Sequence, residues 1–400
     1  NMVCGFREKD VLEKWAKGEE VPAPQPRTPP SPKPNNQAEP PKEQRMKFEY
    51  IWVDGSSPGK LRSKVRFDVV SIDKIANQKE FAGLIPEWSF DGSSTGQAEV
   101  NESDLILKPV TVVPNTTERA RTPSFVVLCE VYDTEGKPHK TNKRASLRES
   151  LKRGTENDMQ FGIEQEYTIV DPISGKPFGW SDYENDTPEP QGDYYCGVGA
   201  DVTMMRDLSE SHAMACNSAG VFVHGTNAEV MLSQWEYQLK ETTAIESSDG
   251  LWLSRFFLQR LAERMNLAIS YSPKMIESDE WNGSGVHINF STKYMRESAD
   301  IPYMTLICSF MEDYHKDAMS HYGTGNEKRL TGNNETSKYD EYNWGEMDRT
   351  ASIRIPYPTT KNGNGYLEDR RPAANVDPYE AIEHLSSTLC KINEEVLVST

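Results

Sequence analysis

Two glutamates separated by one residue are the first sign of chemistry in this chain. They lie in Phe161–Val170 (FGIEQEYTIV), where Phe161, Ile163, Tyr167, Ile169 and Val170 give the run the character of a strand. A strand puts residues i and i+2 on one face, so Glu164 and Glu166 stand side by side among apolar neighbours. Two unscreened carboxylates in such a place repel each other and lose hydration. A cation between them removes both penalties, and Mg2+ or Mn2+, which take oxygen ligands, are the obvious candidates. A solvated strand edge with two surface glutamates satisfies the same spacing, so this stretch alone leaves both readings open.

A second informative stretch is Trp281–Ser291 (WNGSGVHINFS). Val286, Ile288 and Phe290 alternate with His287, Asn289 and Ser291, which predicts a strand with three polar groups on one face. Gly283 and Gly285 beside it let a ligand approach the backbone. A lone histidine is usually a satisfied core residue, but Asn289 and Ser291 on the same face favour a site. Further on, Arg349, Arg354, Arg370 and Arg371 gather around Glu368 and Asp369. In an acidic protein this concentration points to an anionic ligand such as phosphate or carboxylate, with solvated ion pairs as the plainer account. Asp91-Gly92, followed by Ser93, Ser94 and Thr95, reads as a turn that Asp91 caps.

The elements that must position these groups can be read coarsely. Residues 1–20, with Phe6, Val11, Leu12 and Trp15, predict a short amphipathic helix. Nine prolines between Pro22 and Pro41 predict an extended linker. Phe48–Val53, Leu61–Val70 and Ser124–Val131 read as strands of a small sheet-rich domain over residues 47–140. In the larger part, residues 141–400, helices are expected at Ala145–Arg153, Asp207–Ala219 (stopped by Gly220), Leu251–Met265 (capped by Ser247, Ser248 or Asp249) and Met304–Tyr322. Val221–His224 reads as a strand and Gly323–Asn343 as a long functional loop.

The 400 residues carry 44 basic and 62 acidic side chains, a net charge of −18, which argues against nucleic acid as the main partner. No apolar run approaches the roughly 20 residues that span a bilayer. The six scattered cysteines contain no CxxC pair and read as reduced thiols, so a cytoplasmic location is expected.

Taken together, the chain resembles the eukaryotic-type glutamine synthetase family across residues 47–400. The matching motifs are WSFDGSST (88–95), FGIEQEY (161–167), PQGDYYCGVG (190–199), GTNAEV (225–230), QWE (234–236), WNGSG (281–285) with His287, RLTG (329–332), Arg349 with ASIRIP (351–356), and EDRRP (368–372). The resemblance implies an α/β (α+β) fold: a small β-grasp-like N-terminal domain and a larger catalytic domain with a curved antiparallel sheet flanked by helices. It implies two or three Mg2+ or Mn2+ ions per site. One ion is expected on Glu166, Glu229 and Glu236, another on Glu164, His287 and Glu368. ATP is expected near Asn289, Ser291, Arg296, Arg349, Arg354 and Tyr366, and glutamate at Asn282, Gly283, Arg329 and Arg370. Asp91 from a neighbouring subunit is expected to bind and deprotonate ammonium, and Glu335 to close a flap over the intermediate. The implied assembly is a decamer of two pentameric rings with active sites between subunits. A ligase of the same fold joining glutamate to another amine, and a non-catalytic structural member, are the alternatives. Asn334, Gln160, Asp348, Asp193 and Lys240-Glu241 depart from the family pattern without touching an implied metal ligand.

Overall fold

Two sheets, one behind the other in sequence, carry the molecule. The computed structural model describes residues 2–3, 6–7, 43–71, 78–118, 122–152, 158–180 and 188–399. At the start, β1 (Met2–Val3) pairs antiparallel with β2 (Phe6–Arg7). The expected helix over residues 1–20 is therefore corrected at Phe6, which lies in a strand. Val11, Leu12, Trp15 and the proline-rich segment lie outside the described residues.

The first sheet uses β3 (Glu43–Val53), β4 (Leu61–Ser71), then after α1 (Gln78–Leu84) β5 (Trp88–Asp91), β6 (Asp104–Pro114) and β7 (Ser124–Tyr132). Its order is β4-β3-β7-β6-β5, with β3 and β7 parallel and the other pairs antiparallel. Alternation along β3 does not divide wet from dry, because Phe48 through Trp52 are all buried. Phe48, Tyr50 and Trp52 pack with Phe81 and Phe90, while Ile51 joins Val113, Val126 and Leu128 in the core of the second sheet. A central strand covered on both faces has no solvent side to mark.

The larger part follows as α2 (Lys143–Ser150), β8 (Gln160–Val170), α3 (Arg206–Ser218), β9 (Val223–Ala228), β10 (Gln234–Thr242), α4 (Ala244–Arg264), β11 (Ala268–Ser270) and β12 (Val286–Ser291). It continues with α5 (Lys293–Glu297), α6 (Ile301–Phe310), α7 (His315–His321), β13 (Trp344–Glu346), β14 (Ile353–Ile355), α8 (Tyr357–Asn362), β15 (Leu367–Asp369) and α9 (Pro378–Ser399). The eight-stranded sheet runs β13-β14-β15-β12-β8-β10-β9, with β11 paired to the far end of β8. Only β13 and β14 are parallel.

Local chemistry explains some boundaries. Asn142 caps α2 by accepting from the Ala145 amide, and Gly220 takes φ 84° just past the end of α3. Two expected helices are corrected. The helix expected from Leu251 starts at Ala244, so Ser247, Ser248 and Asp249 lie inside it rather than capping it. Ser248 donates back to the Ala244 carbonyl, and Asp249 is drawn instead to Arg144 (2.8 Å), Thr111 (2.6 Å) and Tyr379 (2.7 Å). The helix expected over Met304–Tyr322 divides into α6 and α7. Between them Glu312, Asp313 and Tyr314 donate to carbonyls three residues back, which tightens the chain and turns it. No helix among the described residues is long and apolar enough to cross a membrane. The described cysteines, Cys129, Cys196, Cys216, Cys308 and Cys390, are all free thiols.

One buried cation holds the back of the second sheet. Arg255 on α4 donates to Gln165 Oε1 (2.8 Å), to the Val376 carbonyl (2.9 Å) and to the Ala374 carbonyl (2.9 Å), and stacks 4.9 Å from the Trp252 ring. Gln165 faces opposite to Glu164 and Glu166, so this clasp fixes the strand that carries both. Arg255→Leu will lower unfolding free energy by about 3 kcal/mol, because three acceptors lose a charged donor inside the core. Urea unfolding checks this.

Candidate active site

Strand register assembles the site. On β8, Glu166 is paired with Glu236 of β10, and Glu164 with His287 of β12. Asn289 of β12 is paired with Glu368 of β15, which is paired in turn with Arg354 of β14. Residues directly opposite across an antiparallel ladder share a face, as do residues two apart. Glu164, Glu166, Glu236, His287, Asn289, Arg354 and Glu368 therefore line one face. The reading of Glu164 and Glu166 as a solvated edge fails, since β8 is central and Glu166 is buried.

The distances are short. His287 Nδ1 lies 3.4 Å from both Glu164 Oε2 and Glu368 Oε1, and His287 Nε2 lies 3.8 Å from Glu166 Oε1. Donor atoms of Glu164, Glu236 and His287 all lie within 4.8 Å of one another. Glu229 follows β9 and sits close enough to Glu166 to feel its charge. Burial, then the charge of Glu166, pushes the Glu229 carboxyl up to about 8. Burial and the charges of Glu164, Glu229 and Glu166 push Glu236 well above the usual range. Burial and then Arg370 hold His287 well below the usual imidazole value, so it stands neutral, as a ligand must.

The donor set fits divalent cations: buried carboxylates that raise one another's affinity for protons are relieved by a hard ion, with one imidazole added. The expected division into two triads is blurred, however. Glu236 faces Glu164 and His287 as well as its own expected partners. Glu368 is already held by Arg370 (2.8 Å) and Arg354 (2.8 Å), leaving its remaining lone pairs for an ion.

Arginines rim this face. Arg354 Nε and Arg370 Nε are buried without a hydrogen-bond partner, which suits an incoming anion. Arg349 is exposed, near the Tyr195 phenol, and has no hydrogen bond or ion pair among the described residues. Arg371 is removed from the anion-binding reading: Asp369 takes it through two bonds of 2.9 and 2.7 Å in the core. Arg329 is buried, 3.4 Å from His287 Nε2, and donates to the Arg370 carbonyl at 3.1 Å. Gly285 leaves room for it, since a Cβ there would lie 2.3 Å from Arg329 Nη2, and a Cβ on Gly283 would meet the Pro273 carbonyl at 2.3 Å and Arg329 Cγ at 2.7 Å. Asn282 accepts from Gln191. Asn289 donates to Glu164 (2.7 Å), and Arg296 donates to Ser291 Oγ (3.0 Å). Tyr366 lies near Glu164, Glu368 and Arg354.

Glu335 has φ 60° and lies close enough to Glu229 to raise its carboxyl. Beside it Asn334, at φ 52°, donates to the carbonyls of Asp279 (2.7 Å) and Trp281 (3.2 Å), tying the loop base to the Trp281 segment. Asp348 turns away to bond Thr350. Asp91 stays on the first sheet, exposed, and accepts from Ser93 Oγ (2.6 Å) and Ser94 Oγ (2.7 Å). Those hydroxyls hold its carboxyl down to about 2. A carboxylate kept ionised in this way suits the holding of a cation such as ammonium.

Sequence reasoning missed Asn227 and Gln238. Both fall on the ligand face, opposite Glu236 and Glu164, and Gln238 donates to Asn227 Oδ1 (2.9 Å) and to Glu236. The signal was present, because Gln238 lies two residues beyond Glu236.

A family model described as "Glutamine synthetase, beta-Grasp domain" matches residues 46–134, and one described as "Glutamine synthetase, catalytic domain" matches residues 138–299. The glutamine synthetase of Colletotrichum gloeosporioides is 44% identical over 342 residues, covering 85% of this chain and 91% of that protein. This chain belongs to the glutamine synthetase family. The glutamine synthetase of Streptomyces viridochromogenes is 45% identical over 352 residues (88% of this chain, 98% of that protein). The chloroplastic glutamine synthetase of Chlamydomonas reinhardtii is 44% identical over 355 residues (86% and 91%). These alignments span well beyond residue 299, where the catalytic family model stops. The β-grasp-like first sheet and the α/β fold expected from the motifs agree with these matches.

Proposed function

We propose that this chain ligates ammonia to L-glutamate, forming L-glutamine, ADP and phosphate through γ-glutamyl phosphate. The observation that carries the reading is the register of β8 between β10 and β12, which puts four carboxylates and a neutral imidazole on one face rimmed by arginines. Divalent ions bound there would supply charge neutralisation for the phosphates of ATP.

The chain's own groups do the rest. Arg354 and Arg370, each with a buried free Nε–H, orient the transferring phosphoryl group and the glutamate carboxylates, with Arg349 completing the rim. The γ-carboxylate oxygen of glutamate bonds to the γ-phosphorus of ATP, and the bond to ADP breaks. Arg329, clamped by carbonyls and by the two glycines, fixes one wall of the glutamate pocket. Asp91, contributed by the neighbouring subunit of a ring, holds ammonium by its fixed negative charge. Glu335, near enough to Glu229 to raise its carboxyl, would receive the proton as ammonia forms and close the loop against water. Ammonia then bonds to the acyl carbon and phosphate leaves. A decamer of stacked pentameric rings, with sites between subunits, suits a chain whose Asp91 and ligand face lie on different sheets.

Phosphate release with glutamate and ATP should require Mg2+ or Mn2+ and should be supported by ammonium far better than by methylamine. Equal turnover of methylamine would move the chain to the other amine-ligating reading. No turnover with either would favour a non-catalytic member.

A further inference from the structure

A second cluster of metal-ligating side chains lies away from the carboxylate face. Asp317 and His321 sit four residues apart on α7, so they project from the same side of that helix. His384 reaches them from α9. His321 Nε2 lies 4.0 Å from Asp317 Oδ1, and His384 Nδ1 lies 3.6 Å from Asp317 Oδ2. The two imidazoles lie nearly parallel, with ring centroids 4.9 Å apart and planes 20° from each other. One donor atom from each of the three residues lies within 4.8 Å of the others.

The nitrogens facing away are also engaged. His321 Nδ1 lies 3.1 Å from Glu380 Oε1, and His384 Nε2 lies 3.3 Å from Thr388 Oγ1. Glu380 is itself anchored by Lys143 at 3.2 Å. An outward nitrogen tied to a carboxylate or hydroxyl fixes the tautomer and aims the inward nitrogen, which is how metal-bound histidines are oriented. Neither histidine has a role in the reaction above.

We propose that Asp317, His321 and His384 bind a transition-metal ion of the Zn2+ class, with water completing the shell. The donor set separates this site chemically from the first: two imidazoles and one carboxylate favour Zn2+, whereas the oxygen-rich sheet face favours Mg2+ or Mn2+. Tetrahedral zinc with bonds of about 2.0–2.1 Å needs donors roughly 3.3 Å apart. The donors, all within 4.8 Å of one another, must close to that spacing, and Asp317, 67% exposed, has room to move. Bound there, the ion clamps the final helix α9 to α7.

The test uses the full chain, stripped with a chelator and returned to excess Mg2+, then titrated with Zn2+ by calorimetry and metal analysis. Wild type and Glu164→Ala should each take up one zinc per chain that Asp317→Ala and His321→Gln do not. Glu380→Gln should weaken that zinc at least tenfold by releasing His321. Zinc should raise the melting temperature of wild type but not of Asp317→Ala, whose glutamine-forming activity in Mg2+ should be unchanged. Zinc uptake equal in wild type, Asp317→Ala and His321→Gln overturns the proposal, as does loss of that equivalent in Glu164→Ala alone.

Discussion

Glu236→Gln will cut glutamine formation by a factor on the order of 100–1,000 and will nonetheless raise the melting temperature of the metal-free protein. Both effects have one cause. Burial and three neighbouring carboxylates disfavour the charged form of Glu236 in the folded chain. The unfolded chain has no such penalty, so at neutral pH folding must take up a proton or tolerate the repulsion. A raised folded value means that stability is fully present below the unfolded value near 4.5 and is lost as pH rises towards the folded one. Glu229, pushed up to about 8, acts in the same direction. Chelator-treated wild type should therefore lose stability between about pH 5 and pH 8, and Glu236→Gln should flatten that slope. A gain of about 2–5 °C at pH 7.5 is expected, while Mg2+ or Mn2+ should stabilise wild type more than the variant. Thermal melts with chelator or metal decide it. A lower melting temperature for metal-free Glu236→Gln would mean that the carboxylates are not in conflict.

Asp91→Asn and Glu164→Ala will each remove most activity, and mixing them will restore about a quarter of it. Asp91 lies on the first sheet, where its side chain accepts from Ser93 and Ser94 of its own turn, while Glu164 lies at the centre of the second. In a head-to-tail ring, one subunit's first sheet can cap the next subunit's ligand face. When the two variants are unfolded together and reassembled at equal ratio, about one interface in four joins an intact Asp91 to an intact Glu164. Asp91→Asn alone should act chiefly through ammonium, raising its KM, because the lost group is a charge that holds a cation. Reassembled rings of full size without recovered activity would place both residues in a site built by one chain.

The ligand face was legible because strand parity is strict. Glu164 and Glu166, and His287 with Asn289, can be assigned to one face from spacing alone, and an antiparallel ladder then brings Glu236 and Glu368 to the same side. Which strands are neighbours is not a local property: Glu229, Glu236 and Glu368 entered only through the motif resemblance. Local competition also escaped the sequence. Asp249 has the character of a cap but is claimed by Arg144 and Tyr379 from distant segments, so α4 begins earlier. Arg371 is as basic as Arg370, yet pairing with Asp369 turns it into a core strut. Asp91 reads as the cap of its own turn, and the hydroxyls of Ser93 and Ser94 do bond to it there.

The proposed reaction activates glutamate as an acyl phosphate on this face. Supplying glutamate with 18O in its γ-carboxylate and analysing the released phosphate tests it most directly. Attack by that carboxylate on ATP, followed by displacement by ammonia, transfers one labelled oxygen to each phosphate. Phosphate carrying one 18O per molecule, formed only with ammonium and a divalent ion present, is the predicted result. Unlabelled phosphate accompanying glutamine would contradict the account.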